Sequence, residues 1–525
     1  MPVITSDIDP DHNALVENDS GAGGDFPWEQ AATETHVLDH VLKPPTHGGG
    51  GGGGGGGGTT FPTQASDTQP GPTFDTNATI NKNYFIPPDS TSAAGKEAIL
   101  VGVNGVIEEF DRTAGVDTLT PRAPGFALDD VFKSATGFLG SAFDPHIMYD
   151  PTSDRFIVVA VDQNATNKTS QLLVAVSNDG SPHGAADFHA VAIDANAGGG
   201  SWADFPQVGL DSSGHIYITA NMFAFSGGSY TGTHLWVEDE SNLSASVAGA
   251  TVPSTGTDDF FSAAPTYDPH GTGEFLVSYN SATDPVTGDN VLHVVQVNPN
   301  GSLGTEQTVD LKAKIDQLTT FGGISVPQPG TSHTLDGDDS RTSLAVMQGG
   351  HLYVAATILP TTGLDAGHAT AHWFELGVDA SGNVTLLNQG DVSGNTAFSG
   401  SGLRTFYPSV AVSTDATGND ELAISFSTSA PQTGTNYDGF PSAYEETIDP
   451  ATGASTLGWQ LLEGGLANYT RTFGTHDNRW GDYSSISTDP LHPGQYWAFN
   501  QFAETQGTSL MGETGRWATE LGLFS

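Results

Sequence analysis

The feature that most constrains the fold is a unit of two short β-rich runs joined by a tight turn, which recurs six times. Examples are FDPHIMYDPTSDRFIVVAV from Phe143, DFPQVGLDSSGHIYITANM from Asp204 and DYSSISTDPLHPGQYWAFN from Asp482. Successive units begin 57 to 79 residues apart, and their aligned positions are Pro145, Pro206, Ala263, Thr342, Pro408 and Ser484. Self-similarity of this kind is typical of architectures in which each repeat is one small sheet.

The number of units predicts an all-β fold, a β-propeller of seven blades. AILVGVNGVIEEFDR (Ala98 to Arg112) supplies an earlier, more compact pair of strands besides the six repeats. A propeller removes free sheet edges by radial closure. A β-sandwich or a series of immunoglobulin-like domains is the alternative, but both would need longer repeats and clear linkers. Only DLKAKIDQL (Asp310 to Leu318) has the pattern of a helix.

The first part of the chain lacks the repeat. We expect residues 1–75 to form a disordered acidic leader and residues 76–525 to form the propeller domain. Eleven consecutive glycines, Gly48 to Gly58, predict a flexible tether because packing cannot offset their ordering entropy. His36, His40 and His47 flank this tether, and we expect them to be solvated rather than bound to a metal.

The charge balance restricts the partners. Acidic residues outnumber basic ones 61 to 15, which gives a formal net charge of −46. Such a field repels nucleic acid and anionic membrane surfaces, and no run approaches the length of a membrane span. The chain has no cysteine, and its first thirty residues lack the pattern of a secretory signal. The composition predicts an extracellular or cell-surface protein exported by a non-classical route.

Several motifs resemble those of a large group of secreted bacterial seven-bladed β-propellers. IPPDSTSAAGKEAILVGVNGVIEEFDRTAG (Ile86 to Gly115) resembles their opening, with Lys96 where proline is usual. RWGDYSSISTDP (Arg479 to Pro490) is similar to their last-blade motif, and GRWATELGLF to their closing strand. The resemblance covers residues 84 to 525 and implies the propeller fold. The group is loosely described as sialidase-like, and the resemblance implies no shared set of catalytic residues.

The residues just before the aligned positions are the candidates for ligand binding, because the inner strand of each propeller blade lines the central channel. Aromatic rings, carboxylates and one arginine there are suited to a sugar. The same side chains could equally hold the strand ends together, with acids accepting backbone N–H bonds. The candidate ligand-binding residues are Asp144, Asp204, Phe205, Arg341, Tyr407, Asp482 and Tyr483.

Catalysis would require a more specific arrangement of these residues. A sialidase needs converging arginines, an activated tyrosine and an acid, for which the candidates are Arg341, Tyr407, Arg479 and Asp482. Arg404 also precedes an inner strand, but the three arginines stand in different registers. A glycosidase with paired carboxylates is a further alternative.

Three acidic, glycine-containing turns have the oxygen ligands that calcium prefers. Aspartate and glycine are also ordinary turn residues, so turn geometry alone would explain them. The candidate metal ligands are Asp336, Asp338, Asp339, Asp415 and Asp420.

The main functional prediction from the sequence is a non-catalytic binding or interaction module for a glycan or a surface protein. The alternatives are a glycan-cleaving, sialidase-like hydrolase with its site at the channel mouth, and a structural component of an envelope or matrix. In each case RWGDYSSISTDP is expected to begin the last blade, with Trp480 wedged between blades and Asp489-Pro490 forming the bend into the next strand.

Overall fold

The computed structural model describes residues 63–112, 119–196, 200–243, 247–251, 260–271, 274–318, 323–414, 418–434, 437, 439–472 and 478–524. The polyglycine tether and the three histidines around it lie outside these residues. No helix in the described ranges is long and apolar enough to cross a membrane.

The described chain begins with two strands and a short helix, β1 (Thr63–Gln64), β2 (Ser66–Thr73) and α1 (Phe74–Asn81). Blade 1 contains β3 (Thr91–Ala94), β4 (Ala98–Val103), β5 (Val106–Arg112) and β6 (Leu119–Ala127), and α2 (Leu128–Phe132) follows. Blade 2 contains β7 (Phe143–Asp150), β8 (Arg155–Asn164), β9 (Thr169–Ser177) and β10 (Phe188–Asp194), with a short 3-10 helix at Ala185–Asp187. Blade 3 contains β11 (Ser201–Asp211), β12 (His215–Ala224), β13 (Tyr230–Asp239) and β14 (Val247–Thr251).

The second half of the chain repeats this plan. Blade 4 contains β15 (Ala264–Asp268), β16 (Glu274–Ser278), β17 (Val291–Val297) and β18 (Gln307–Asp310). A hairpin of β19 (Ser325–Val326) and β20 (Leu335–Asp336) leads to blade 5, which contains β21 (Ala345–Gln348), β22 (His351–Ile358), β23 (Thr370–Val378) and β24 (Val384–Val392). After α3 (Gly394–Ala397), blade 6 contains β25 (Arg404–Thr414), β26 (Asp420–Ser429), β27 (Ser442–Asp449) and β28 (Ala454–Glu463). Blade 7 contains β29 (Ser485–Thr488), β30 (Tyr496–Ala503) and β31 (Trp517–Phe524).

The seven sheets close into a ring, as the repeats predicted. Each inner strand contacts the inner strand of the next blade, and β29 of blade 7 contacts β3 of blade 1. Between blades 3, 4 and 5 the inner strands even pair in parallel, β11 with β15 and β15 with β21. Blades 1 and 7 meet where the hydroxyls of Ser92 and Ser485 lie 3.0 Å apart. The all-β propeller with seven blades is therefore confirmed.

The hydrophobic core is divided into layers between neighbouring blades. Alternate residues of a strand point to opposite faces of its sheet, so a blade packed on both sides needs apolar residues at nearly every position. On β8, Ile157 and Val159 pack toward blade 3, while Phe156 and Val158 pack toward blade 1. This two-sided burial explains why runs such as RFIVVAVD are continuously apolar.

The ring is closed by the start of the described chain. Strand β2 pairs antiparallel with β31 and forms the outer strand of blade 7, while β1 pairs in parallel with β28 of blade 6. The predicted boundary between residues 75 and 76 is therefore placed too late, since residues 63–73 already belong to the propeller. The boundary was misplaced because the sequence of β2, SDTQPGPT, contains two prolines and a glycine and therefore has no strand pattern.

The recurrent aspartate after each inner strand has a structural role. Oδ1 of Asp150 accepts the backbone N–H of Thr152 at 2.7 Å, and Oδ1 of Asp211 accepts that of Ser213 at 2.8 Å. In blade 7, Oδ1 of Asp489 accepts the N–H of Leu491 at 2.7 Å. These turns reverse the chain from the inner strand to the second strand. The predicted bend at Asp489-Pro490 is of this kind.

The predicted helix at Asp310 to Leu318 is wrong. Strand β18 ends at Asp310, and no helix follows in this described segment. Oδ1 of Asn290 accepts the backbone N–H groups of Ile315 and Asp316, and Oδ1 of Asp316 accepts that of Leu318. These backbone N–H groups thus donate to side-chain oxygens, whereas in a helix they would donate to backbone carbonyls.

Candidate functional site

The residue that leads into each inner strand lies at one end of the channel, and we call these seven the rim residues: Asp89, Asp144, Phe205, Ser262, Arg341, Tyr407 and Tyr483. Five of them have a left-handed backbone, with φ of 51° at Asp89 and Asp144, 48° at Phe205, 50° at Ser262 and 51° at Tyr407. Side chains rarely adopt this conformation, and for aromatic residues it is strained. In blades 2, 3 and 6 the rim residue itself lies within a β-bulge of the inner strand.

Side chains of neighbouring blades hold this strained backbone in place. Oδ1 of Asn104 in blade 1 accepts the N–H of Asp144 at 2.8 Å, and Oδ2 of Asp144 accepts the N–H of Phe205 at 3.1 Å. Asn221 of blade 3 holds the N–H of Ser262 at 2.8 Å in the same way. The blades are therefore clasped together at the rim by a chain of buried hydrogen bonds.

Four buried carboxyl groups from blades 1, 2, 3 and 7 lie in electrostatic contact at this end of the ring. They belong to Asp89, Asp144, Asp204 and Asp482. Burial raises the pKa of Asp144 well above its usual value, and the charges of the other three raise it further. Burial also raises the pKa of Asp89, with Asp482 as the next cause. Oδ1 of Asp144 has no hydrogen-bond partner among the described residues.

Two arginines complete the cluster. The guanidinium of Arg341 bonds Asp338 at 2.8 Å and Asp339 at 2.9 Å, and it lies 4.5 Å from the ring centre of Phe205. Arg479 forms a close ion pair with Asp482. Both guanidinium groups are buried and paired with acids, so they are held rigidly in place. We use the name rim cluster for the rim residues together with Asp204, Asp338, Asp339, Arg479 and Asp482.

The tyrosines of the rim cluster are not activated. The hydroxyl of Tyr407 donates to the carbonyl of Asp336 at 3.3 Å, and that of Tyr483 donates to the carbonyl of Pro145 at 3.0 Å. Burial first, and then the nearby aspartates, raise the pKa of both hydroxyls well above the usual value. A tyrosine nucleophile needs the opposite shift. The geometry therefore gives no support to Tyr407 as a sialidase nucleophile.

The structure brings most of the sequence candidates into this one cluster: Asp144, Asp204, Phe205, Arg341, Tyr407, Arg479, Asp482 and Tyr483. Arg404 is elsewhere, close to Asp365 and His368. Trp480 lies between blades 6 and 7, where its Nε1 donates to Ser427 at 3.2 Å, as predicted. Asp482 was expected to accept a backbone N–H bond, but its own N–H donates to Asp89 and its carboxylate pairs with Arg479.

Asp89 and His146 were not among the candidates that the sequence indicated. Asp89 stands at the start of blade 1 as Asp144 does in blade 2, so an alignment of IPPDST with SAFDPH would have found it. The ring of His146 lies on that of Tyr483, with centroids 4.4 Å apart. Burial lowers the pKa of His146 to about 3, so the imidazole is neutral.

The aspartates predicted to bind calcium have other roles. Asp338 and Asp339 bind Arg341, and Asp336 faces Arg479 at 3.7 Å. Asp420 accepts the hydroxyl of Tyr353 at 2.8 Å, and Asp415 lies outside the described residues. In the part of the chain that the structure describes, no group of three or more acids or histidines is arranged to hold a metal ion. Calcium binding stays a prediction of the sequence alone.

A cavity of about 380 Å³ lies inside the ring, below the rim cluster. Residues from all seven blades line it, and Tyr483 and His146 border both the cavity and the rim cluster. We call it the channel cavity. A volume of this size is typical of small-molecule sites.

Comparison with known proteins adds little beyond the fold. No protein-family model matches the sequence, and no curated protein does. Among solved structures, an endo-arabinanase from Bacillus licheniformis is 14% identical, with a TM-score of 0.30 over 62% of this chain and 100% of its own. The endosialidase of phage phi92 is 9% identical, with a TM-score of 0.38 over 83% of this chain and 67% of its own. Such low values assign no substrate and no catalytic residue.

These comparisons nevertheless correct the main functional prediction. The similar solved structures include several arabinanases and an endosialidase, which are glycan-cleaving enzymes. The main prediction, a non-catalytic binding module, has no counterpart among them and is withdrawn. The resemblance to secreted bacterial propellers is supported only at the level of the fold.

Proposed function

We propose that this protein is a glycan-cleaving hydrolase whose reacting groups are carboxyls of the rim cluster. The observation that carries the proposal is that buried carboxyl groups with different surroundings lie in electrostatic contact at the rim. Asp144 has a raised pKa and a carboxyl oxygen without a partner in the described residues, whereas Asp482 is ion-paired with Arg479. A buried carboxyl group with a raised pKa beside an ion-paired carboxyl group is a combination suited to act as acid and as base or nucleophile.

The chemistry divides between these two groups. Hydrolysis of a glycosidic bond needs a protonated carboxyl that gives its proton to the leaving oxygen, and a carboxylate that attacks the sugar carbon or activates water. Asp144 is suited to the first role because burial and neighbouring charges favour its protonated form. Asp482 is suited to the second because its close ion pair with the Arg479 guanidinium holds the carboxyl group in a fixed position.

The charge of the rim favours a neutral glycan as substrate. Together with Asp336, which faces Arg479, the cluster holds seven aspartates and two arginines, and each arginine is already paired with carboxylates. An anionic sugar would meet repulsion from the remaining acids. This feature separates the proposal from the sialidase mechanism, in which free arginines bind a carboxylate. We also keep an extracellular or cell-surface location as part of the proposal, supported by composition.

Hydrolysis of a panel of neutral polysaccharides and aryl glycosides tests the proposal. We expect Asp144→Asn and Asp482→Asn each to lower kcat at least 100-fold, since each removes a group that reacts. Glu445→Gln is the matched control, because Glu445 is buried with a raised pKa in blade 6, outside the rim cluster. Lack of turnover on the whole panel, or turnover that survives both aspartate substitutions, would overturn the proposal.

A further inference from the structure

The channel cavity extends along the full length of the inner strands. At its rim end it is bordered by Tyr483 and His146, and at its other end by residues that follow the inner strands, among them Lys96, Pro151 and Pro269. The cavity is therefore a chamber below the rim cluster and not a part of it.

The walls of the chamber combine hydroxyl and aliphatic groups. Serines from four different blades line it, namely Ser92, Ser343, Ser409 and Ser485, and valines stand between them. The tyrosines Tyr149 and Tyr267 add aromatic surface near the far end. A wall of this mixed character fits a molecule that carries both hydroxyl groups and apolar faces.

The walls carry little net charge. Asp489 lines the chamber, but its carboxylate is buried in an ion pair with Arg112 at 2.5 Å. Lys96 donates to the carbonyl of Pro151 at 3.1 Å, at the open end. His146 is neutral, as described above. Lys96 Nζ also lies 4.0 Å from the carboxylate of Asp154, so this ammonium group already has an acid beside it. A charged ligand would therefore lose its hydration without gaining an unpaired counter-charge inside the chamber.

Two polar atoms of the wall have no hydrogen-bond partner among the described residues, Nε2 of Gln207 and Nε2 of His146. Gln207 is only 2% exposed, and both residues line the chamber on the neighbouring inner strands β11 and β7. Buried polar atoms of this kind are normally paired. They occupy equivalent positions in adjacent blades, so one ligand at the rim end of the chamber can reach both.

We propose that the channel cavity binds a neutral saccharide unit, whose hydroxyls pair with Nε2 of Gln207 and Nε2 of His146. The Gln207 amide donates to a sugar oxygen, while the imidazole nitrogen donates or accepts according to its tautomer. The hydroxyls of Ser92, Ser343 and Ser485 already donate within the protein, so they supply acceptors along the chamber. The valines and tyrosines contact the apolar faces of the sugar. This inference goes beyond the proposed hydrolysis, because binding in the chamber requires no bond cleavage.

Isothermal titration of the full chain tests the inference. The neutral probes are D-galactose, L-arabinose, cellobiose and lactose, and the charged probes are D-galacturonate and N-acetylneuraminate. We expect at least one neutral sugar to bind at least tenfold more tightly than either charged sugar. Gln207→Leu, which removes the donor and keeps the size of the side chain, should weaken that binding at least fivefold. Val346→Phe, which fills the chamber, should abolish it.

Gln460→Leu is the matched control, since Gln460 is a buried glutamine on the outer strand of blade 6 and does not line the chamber. Its affinity should stay within twofold of the wild type. Absence of binding by every neutral probe, preference for a charged probe, or binding unchanged in both Gln207→Leu and Val346→Phe would overturn the inference. Asp144→Asn separates the two proposals, because it should end hydrolysis while leaving this binding intact.

Discussion

At the scale of the residue, the rim depends on side chains that serve two blades at once. Asn104 shows this most clearly. Its Nδ2 donates to Asp89 at 2.6 Å and to the carbonyl of Pro87 at 3.0 Å, and its Oδ1 accepts the N–H of Asp144. The amide therefore fixes the rim residues of blades 1 and 2 together. The segment Val103-Asn104-Gly105 therefore holds blades 1 and 2 together like a clasp, and it positions the carboxyls of the rim cluster.

We predict that Asn104→Leu lowers the free energy of unfolding by about 2–4 kcal/mol, because it leaves several buried polar groups without partners. Urea denaturation followed by fluorescence measures this loss. Asn167→Ala, at an exposed turn, is the control and should change stability by less than about 0.5 kcal/mol. A loss below 1 kcal/mol for Asn104→Leu would contradict the clasp.

At the scale of the element, the closing strand β2 is the part that could not be predicted from the sequence. Second strands such as HLYVAATI and RFIVVAVD were predictable, because burial on both faces makes them continuously apolar. SDTQPGPT has no such pattern, since an outer strand tolerates proline and glycine and takes its register from its partner. Gly71 shows the constraint, because a Cβ there would lie 2.6 Å from Phe499 Cε2 and from Thr519 Oγ1.

We predict that Gly71→Ala destabilises the protein by about 1–3 kcal/mol, because the added methyl group overpacks blade 7. Gly200→Ala is the control, since a Cβ at Gly200 would meet nothing within 4 Å. Differential scanning calorimetry should show a lower Tm for Gly71→Ala alone. Equal Tm values for the two variants would mean that β2 does not pack on blade 7 as described.

At the scale of the whole molecule, many acids lie buried between the blades. Burial raises the pKa of Glu238 and of Glu520 to about 8, and that of Asp162 to about 7. Neither carboxyl oxygen of Glu238 has a partner among the described residues. The folded state therefore holds protons that the unfolded chain releases at about pH 4.5. A raised folded-state pKa gives stability that is fully present below the unfolded pKa and is lost as pH rises through the folded pKa.

We accordingly predict that the free energy of unfolding falls as the pH rises from about 4.5 to 8. Glu238→Gln should reduce this slope and raise stability at pH 8 by about 1–2 kcal/mol, because no charge has to be buried. Asp67→Asn, at an exposed acid, should leave the slope unchanged. Chemical denaturation at a series of pH values measures the slope, and stability that rises toward pH 8 would contradict the account.

The sequence predicted the ring of blades, but not all of the side-chain contacts at its channel end. The repeats placed Asp144, Phe205 and Tyr483 at the channel end because their position relative to the inner strand is local. The contact of Asp336 with Arg479 was not predictable, since the β19–β20 hairpin carries Asp336 to Arg479 from far along the chain. An acidic glycine turn has the same local pattern whether its carboxylates bind calcium or an arginine, which is why the sequence indicated Asp336, Asp338 and Asp339 as calcium ligands.

The closure of the ring between blade 1 and blade 7 underlies both the rim cluster and the channel cavity, and one engineered disulfide tests it directly. The chain has no cysteine, so Ser92→Cys combined with Ser485→Cys introduces the only two thiols. Since the two serine hydroxyls lie 3.0 Å apart, mild oxidation of the folded protein should link the pair almost completely, as thiol titration would show. Ser92→Cys with Ser278→Cys, in blade 4, should keep both thiols. Free thiols at positions 92 and 485 after oxidation of the folded protein would contradict the ring.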